Sequence, residues 1–173
     1  MAMEKIPTKI NLFNMYNAGS KLVGITGEVS IPNFEAMSET VEGAGILGEI
    51  DDVAVGHFGS MEMEIPFRMV DDDAIDLMNP LEATNLTLRA AQQVSTIDGG
   101  TDFKQMRVVL RGKNKGFTPG KVQQGKAMNS SVKVEVQYIL IELNNKPMVE
   151  LDKLNTVFKI RGKDILSKAR EMV

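Results

Sequence analysis

Two stretches of strict period-two alternation constrain this chain more than any other feature. In Ser60–Val70, Met61, Met63, Ile65, Phe67 and Met69 fall on one side and Glu62, Glu64 and Arg68 on the other. In Ser131–Leu143, Val132, Val134, Val136, Tyr138 and Leu140 share a side, and the opposite side turns from Lys133, Glu135 and Gln137 to Ile139 and Ile141. A helix would scatter these residues around its axis, whereas a strand sorts them onto two faces. The expected fold class is therefore mainly β, with strands covered on one face and the end of the second stretch covered on both. Further strands are expected at Leu22–Ile31, Thr84–Val94, Phe103–Arg111, Met148–Leu151 and Thr156–Ile160, with turns at Asp98-Gly99-Gly100 and Asn144-Asn145, where positive φ is tolerated.

Two short helices interrupt this pattern. Asp71, Asp72 and Asp73 place carboxylates at the positive end of a helix through Ala74, Ile75, Leu77 and Met78, which Pro80 ends. Near the C terminus, Asp164 is expected to cap a helix packed by Ile165, Ala169 and Met172, with Lys168 and Arg170 in its last turn. Two Gly-rich segments, Asn33–Ser60 and Gly112–Ser131, read as long loops of the kind that bind or order on a partner. At 173 residues a single domain over 1–173 is expected. The start M-A-M-E-K-I-P-T-K-I has no apolar leader and no run suits a membrane helix, so neither export nor a membrane anchor is expected. The absence of Cys removes disulfides and thiolate chemistry and suits a reducing compartment.

Charge is segregated along the chain. Residues 22–88 carry fourteen acids against the single base Arg68, a balance of −13, whereas residues 89–173 carry sixteen bases against eight acids, a balance of +8. Between Phe103 and Val134 there are eight bases and no acid. Such asymmetry suits a nucleic-acid patch or a self-complementary assembly surface.

Catalytic chemistry finds little support. Gly120-Lys121-Val122-Gln123-Gln124-Gly125-Lys126-Ala127 has the glycine spacing of a phosphate loop, but Ala127 replaces the magnesium-binding hydroxyl and no strand-loop-helix unit surrounds it. His57 is the only imidazole and reads as a packing residue; the Asp71–Asp73 run reads as helix-start electrostatics before a cation site. Asn85-Leu86-Thr87 and Asn129-Ser130-Ser131 match the glycosylation pattern without a secretory context. No enzyme activity, cofactor or metal is expected. The basic 104–133 segment keeps a soluble nucleic-acid-binding β domain open as an alternative, although only Phe117 lies among its bases to stack on a nucleobase.

The segments G-E-V-S-I-P-N-F, V-E-G-A-G-I-L-G-E-I, V-V-L-R-G-K-N-K-G, K-V-E-V-Q-Y-I-L-I-E-L and K-P-M-V-E-L-D-K-L-N-T-V-F-K-I-R-G-K-D-I-L, in this order from about residue 27 to 166, resemble the major tail tube proteins of contractile-tailed phages. The resemblance implies a rolled, barrel-like β-sheet domain with a flanking helix, forming hexameric rings that stack head to tail and join their sheets into one continuous β-barrel. Contractile bacteriocin and type VI secretion tubes share that architecture. It further implies a structural, non-catalytic role in a virion tail made in the host cytoplasm, as a conduit for DNA or ions. Implied partners are the chain itself, sheath, baseplate and tail terminator proteins, and transiently the tape measure protein and DNA. Asn33–Ser60 corresponds to the extended loop that reaches adjacent subunits. In that setting the charge split suggests inter-subunit contacts of Glu42, Glu49, Asp51 and Asp52 with Arg111, Lys113, Lys115, Lys121 and Lys126, and Glu62 and Glu64 are the candidate lumen-facing carboxylates, the alternative being that their face meets solvent or the sheath on the outside.

Overall fold

The structure, a computed structural model, describes residues 5–173. Met1–Glu4, read above for a leader, lie outside the described residues. Eleven strands and two one-turn helices follow in chain order: β1 (Lys5–Asn17), β2 (Ser20–Lys21), β3 (Ala36–Val41), β4 (Ile50–Phe58), β5 (Glu62–Phe67), α1 (Asp72–Asp76), β6 (Thr84–Thr96), β7 (Thr101–Thr118), β8 (Ser130–Leu143), β9 (Lys146–Asp152), β10 (Val157–Ile160), β11 (Lys163–Asp164) and α2 (Ser167–Arg170). All but β3 and β4 join one antiparallel sheet in the order β11-β10-β9-β8-β7-β6-β1-β2, with β5 added on β8; β3 and β4 pair only with each other.

The sheet forks at β8. One edge of β8 pairs with β7 along its length; the other takes β5 at Ser130–Glu135 and β9 at Tyr138–Leu143. Beyond β5 the chain closes on itself. Leu22 donates to the Met15 carbonyl of β1 (2.9 Å), and residues 24–30 then run along β5, with Thr26 donating to Pro66 (3.0 Å), Arg68 donating to Gly24 (2.9 Å), and bridges Ile25/Phe67 and Ser30/Glu64. The result is a roll through β1, β6, β7, β8, β5 and this strap. Met61, Met63, Ile65 and Phe67 fill it against Leu86, Leu88, Val108, Leu110, Val132, Val134 and Val136, and α1 inserts Ala74 and Leu77. Each large apolar side chain buried here contributes roughly 1.5–3 kcal/mol. Alternation in β5 thus translates directly into burial, because β5 has core on one face only.

Several expectations need correction. The strand expected at Leu22–Ile31 is a strap held by isolated bridges, since Gly24 adopts φ +83° and breaks the extended run. The longest unforeseen element is β1, whose residues alternate poorly because bulges interrupt its pairing with β6 between Pro7 and Lys9 and between Ile10 and Leu12. Met69 lies beyond the end of β5 and is exposed. In β8 the inward set passes from Val132, Val134 and Val136 to Ile139, not to Tyr138 and Leu140. Gly112 pairs with Val136 and Arg111 with Tyr138, so Gln137 is an extra residue that flips the alternation. Gly112–Ser131 is half strand: β7 runs to Thr118, leaving only 119–129 irregular. Asn33–Ser60 contains the β3–β4 hairpin.

Asp71 caps α1 as expected, accepting from the Ala74 N–H (3.1 Å). The C-terminal helix departs from expectation. Asp164 belongs to β11 and accepts from the Leu166 N–H (3.0 Å), while Ala169 and Met172 face solvent, because one turn of helix cannot carry a stripe. Asn144 and Asn145, with φ of 49° and 60°, make the two-residue β8–β9 turn that both-positive φ predicts.

Candidate assembly surfaces

The β3–β4 hairpin stands clear of the body. From Met37 to Val55 every residue is exposed, and Leu47 at its tip is 107% exposed. The exposed set includes Met37, Val41, Ile46, Ile50, Val53 and Val55, an apolar load that a monomer seldom carries on one projection. A Cβ placed on Gly43, Gly45 or Gly48 would meet nothing within 4 Å. Only the root is anchored. Phe58 packs edge-on against Phe34 (6.0 Å between centroids) and Phe158 (5.1 Å), and Lys153 Nζ donates to the Gly59 carbonyl (2.7 Å). Gly56 admits Leu166 so closely that a Cβ there would lie 2.7 Å from the Leu166 side chain.

The hairpin carries Glu39, Glu42, Glu49, Asp51 and Asp52, all exposed, and no base. Among the described residues, Asp51 accepts a side-chain hydrogen bond only from the Thr40 hydroxyl (2.9 Å). Of the opposing bases singled out from sequence, Lys121 and Lys126 are brought together on the 119–129 loop, around a depression that Gln123 and Asn129 also line. Lys113 lies exposed on β7. Arg111 is elsewhere on that strand, its guanidinium 4.1 Å from the Tyr138 ring centroid. Lys115 is already engaged: its ammonium lies 3.1 Å from Glu62 and 3.2 Å from Glu135.

That engagement has a structural cause. Glu62 and Glu135 face each other directly across β5 and β8, an arrangement in which like charges repel. A bulge in β7 between Asn114 and Gly116 releases Lys115 to reach both, and Lys133 approaches Glu62 from the other side (3.2 Å). Lys115 first, then Lys133, holds the Glu62 carboxyl below its ordinary value. Burial pushes Glu135 up, but the Ser60 hydroxyl (2.7 Å), the Met61 N–H (3.1 Å) and Lys115 outweigh it and leave a net lowering. Hydrogen bonds to Glu62 and then Glu135 raise Lys115 in turn. Glu62 is therefore a neutralised carboxylate, whereas its neighbour Glu64 is exposed and makes no ion pair among the described residues.

The basic segment is not one free patch. Arg107 pairs with Glu142, Lys115 and Lys133 join the cluster above, and Arg111 stacks on Tyr138, so half of the eight bases are spent within the chain. Sequence reasoning missed two further features, both made by tertiary structure. The outward edge of β1 has no strand partner from Lys5 to Asn14 among the described residues, since β2 pairs only with Tyr16 and Asn17. Between that edge and the strap lies a groove of about 550 Å³, floored by Phe13, Ala90 and Met106 and roofed by Val29 and Ile31. The 120–127 segment leads toward β8 with no helix to offer N–H groups to a phosphate, His57 is exposed on β4, and Asp71 caps α1 with Asp72 and Asp73 in its first turn. No grouping of metal-ligating side chains occurs among the described residues, and no helix is long and apolar enough to cross a membrane.

Comparison with known proteins finds relatives along nearly the whole chain. The tail tube protein of Escherichia phage P2 is 26% identical over 175 residues, covering 97% of this chain and 98% of its own. The major tail tube protein of Serratia phage KSP20 is 26% identical over 161 residues, covering 92% and 91%. The fold resembles the sheath/tube terminator of the extracellular contractile injection system PVC in its extended state, seen by cryo-electron microscopy, with a TM-score of 0.55 at 13% identity over 79% of this chain and 96% of that one. The model of the family described as phage tail tube protein FII matches residues 7–173, so this chain, with its forked β roll and unpartnered hairpin, belongs to the phage tail tube family.

Proposed function

We propose that this chain is the structural subunit of the inner tube of a contractile phage tail or tail-like particle, stacking as hexameric rings, head to tail, into a conduit for DNA or ions. Two observations carry the reading together: the β1 edge, unpaired among the described residues, and the projecting apolar hairpin. Exposed edges invite pairing, and a closed ring of copies removes them. An obligate contact of this kind buries roughly 2,000 Å² or more. Sheets joined edge to edge around the ring form the continuous barrel. The hairpin acids Glu42, Glu49, Asp51 and Asp52 then meet bases of a neighbouring subunit drawn from Arg111, Lys113, Lys121 and Lys126; Lys115 shares that surface while balancing Glu62 and Glu135. Glu62 and Glu64 face the lumen, with Glu64 supplying the free carboxylate that repels a passing phosphate backbone. Sheath, baseplate and terminator proteins bind the outside and ends, the tape measure protein and DNA occupy the lumen in transit, and the chain performs no catalysis.

Negative-stain electron microscopy with sedimentation over a wide concentration range tests this. Rings and tubes of uniform width are expected. A 19.0 kDa monomer at every concentration, with no assembly on adding tail components, overturns it.

A further inference from the structure

The β3–β4 hairpin meets the body at a joint that its own strands do not stiffen. Ala36 pairs with Phe58 and Ser38 with Val53, so between these two rungs β3 has Met37 alone and β4 has residues 54–57. A bulge of that kind bends the longer strand and takes its residues out of pairing. Inward of the joint the chain is fixed: the Gly59 N–H donates to the Glu35 carbonyl (3.0 Å), and Phe58 packs on Phe34 and Phe158. Outward of it the arm is exposed throughout.

One side chain from elsewhere in the chain occupies the joint. Gly56, at φ +78°, turns its bare Cα toward Leu166, whose Cδ1, Cδ2 and Cγ lie 2.7, 2.9 and 3.1 Å from where a Cβ would stand. Glycine tolerates both that backbone and that approach. Leu166 stands on a braced support. Its N–H donates to Asp164 Oδ1 (3.0 Å), the Ile165 N–H donates to the Phe158 carbonyl (2.9 Å), and the Arg170 guanidinium donates to Asp164 Oδ2 (2.9 Å) and to the Thr156 carbonyl (2.7 Å). Phe158 therefore holds both parts, with its ring at the root of the arm and its carbonyl on the C-terminal segment. Ala169 and Met172 of that segment face solvent, whereas Leu166 is half-buried.

We infer that the C-terminal segment from Asp164 to Arg170 is a latch for the hairpin: Leu166, wedged at Gly56, holds the arm in one direction, and its removal lets the arm swing about residues 54–57. Leu166 is a positioning residue, and the latch belongs to the single subunit whether or not tubes form. A held arm loses less conformational freedom on later burial than a swinging one.

The chain has no Cys, so spin labels on Leu47→Cys at the tip and Gln105→Cys on β7 report one intramolecular distance. Pulsed dipolar spectra are recorded on the full chain, diluted in unlabelled protein, at a concentration where sedimentation shows the monomer. One narrow distance distribution is expected. Leu166→Ala should at least double its width, Arg170→Ala, which removes the brace and keeps the wedge, should widen it less, and Met172→Ala should leave it unchanged. Thermal melts of all three should stay within a few degrees of the unsubstituted protein, since the segment lies outside the roll. A Leu166→Ala width equal to that of the unsubstituted protein, both narrow or both broad, overturns the latch, as does equal widening by Met172→Ala. If Leu166→Ala melts far lower, Arg170→Ala carries the test, and an unchanged width there overturns the inference.

Discussion

Replacing Gly112 by Ala tests the fork at β8. Gly112 lies where β7 crosses β8, at the register step that leaves Gln137 unpaired. A Cβ on Gly112 would stand 2.1 Å from the Glu135 carbonyl oxygen, 2.9 Å from its carbon and 3.1 Å from Val134 Cγ1. The first two are backbone atoms and cannot rotate away, so β7 and β8 must separate by about 1 Å to restore ordinary contact. Stretching the flanking inter-strand hydrogen bonds costs about 1 kcal/mol each, and overpacking a dense interior adds about 1–3 kcal/mol. Ala gains back about 0.4–1 kcal/mol by restricting the unfolded chain. A net loss of about 2–4 kcal/mol follows, a large part of the roughly 5–15 kcal/mol a domain holds. At about 2–4 °C per kcal/mol for this size, thermal unfolding followed by circular dichroism should shift down by about 5–15 °C. Gly116→Ala, four residues along the same strand with nothing within 4 Å of its Cβ, is the control and should move the midpoint by a degree or two at most. A Gly112→Ala midpoint equal to that of Gly116→Ala would refute the reasoning, since β7 would then have slack at the bulge.

Truncating Met63→Ala, fully buried on β5, should cost about 2–5 kcal/mol in urea unfolding, whereas truncating Leu47→Ala should cost the monomer nothing measurable. Below the ordinary carboxylate values of 4.5 for Glu and 3.8 for Asp, stability should fall. Glu62, Asp102 and Asp164 are held low in the fold, so the unfolded chain takes up protons first and their contribution disappears as pH falls through the folded values. Lys115→Met should flatten that acid limb in melts run from pH 6 to pH 2, and an unchanged limb would remove Lys115 as its cause. Reversing Asp51 and Asp52 to Lys should block tube growth in sedimentation assays, and reversing Lys121 and Lys126 to Glu should restore it; normal growth of the acidic reversal at low and high salt would leave these charges merely solvated. Hydrogen exchange should find Val41–Gly48 unprotected in the monomer and protected in tubes, with β6–β8 protected in both.

Sequence alone determined those elements whose environment is uniform along their length. The Met61-to-Phe67 alternation reached the core intact because β5 has the roll interior on one side throughout, and Asp71 capped α1 because a cap is a bond between residues three apart. The Asn144-Asn145 turn followed from φ tolerance for the same local reason. Charge segregation was equally legible, since it needs only counting. Tertiary structure decided whatever depends on a distant strand. Whether Tyr138 faces in or out turns on Gln137 having no partner on β7, which is a property of β7 as much as of β8. Lys115 meets Glu62 and Glu135 only because a bulge in β7 turns it toward two strands that are 53 and 20 residues away in sequence. The groove beside β1 exists because the strap crosses to β5 and leaves that edge open, and no window of residues along the chain encodes a gap between two segments that are held apart by a third.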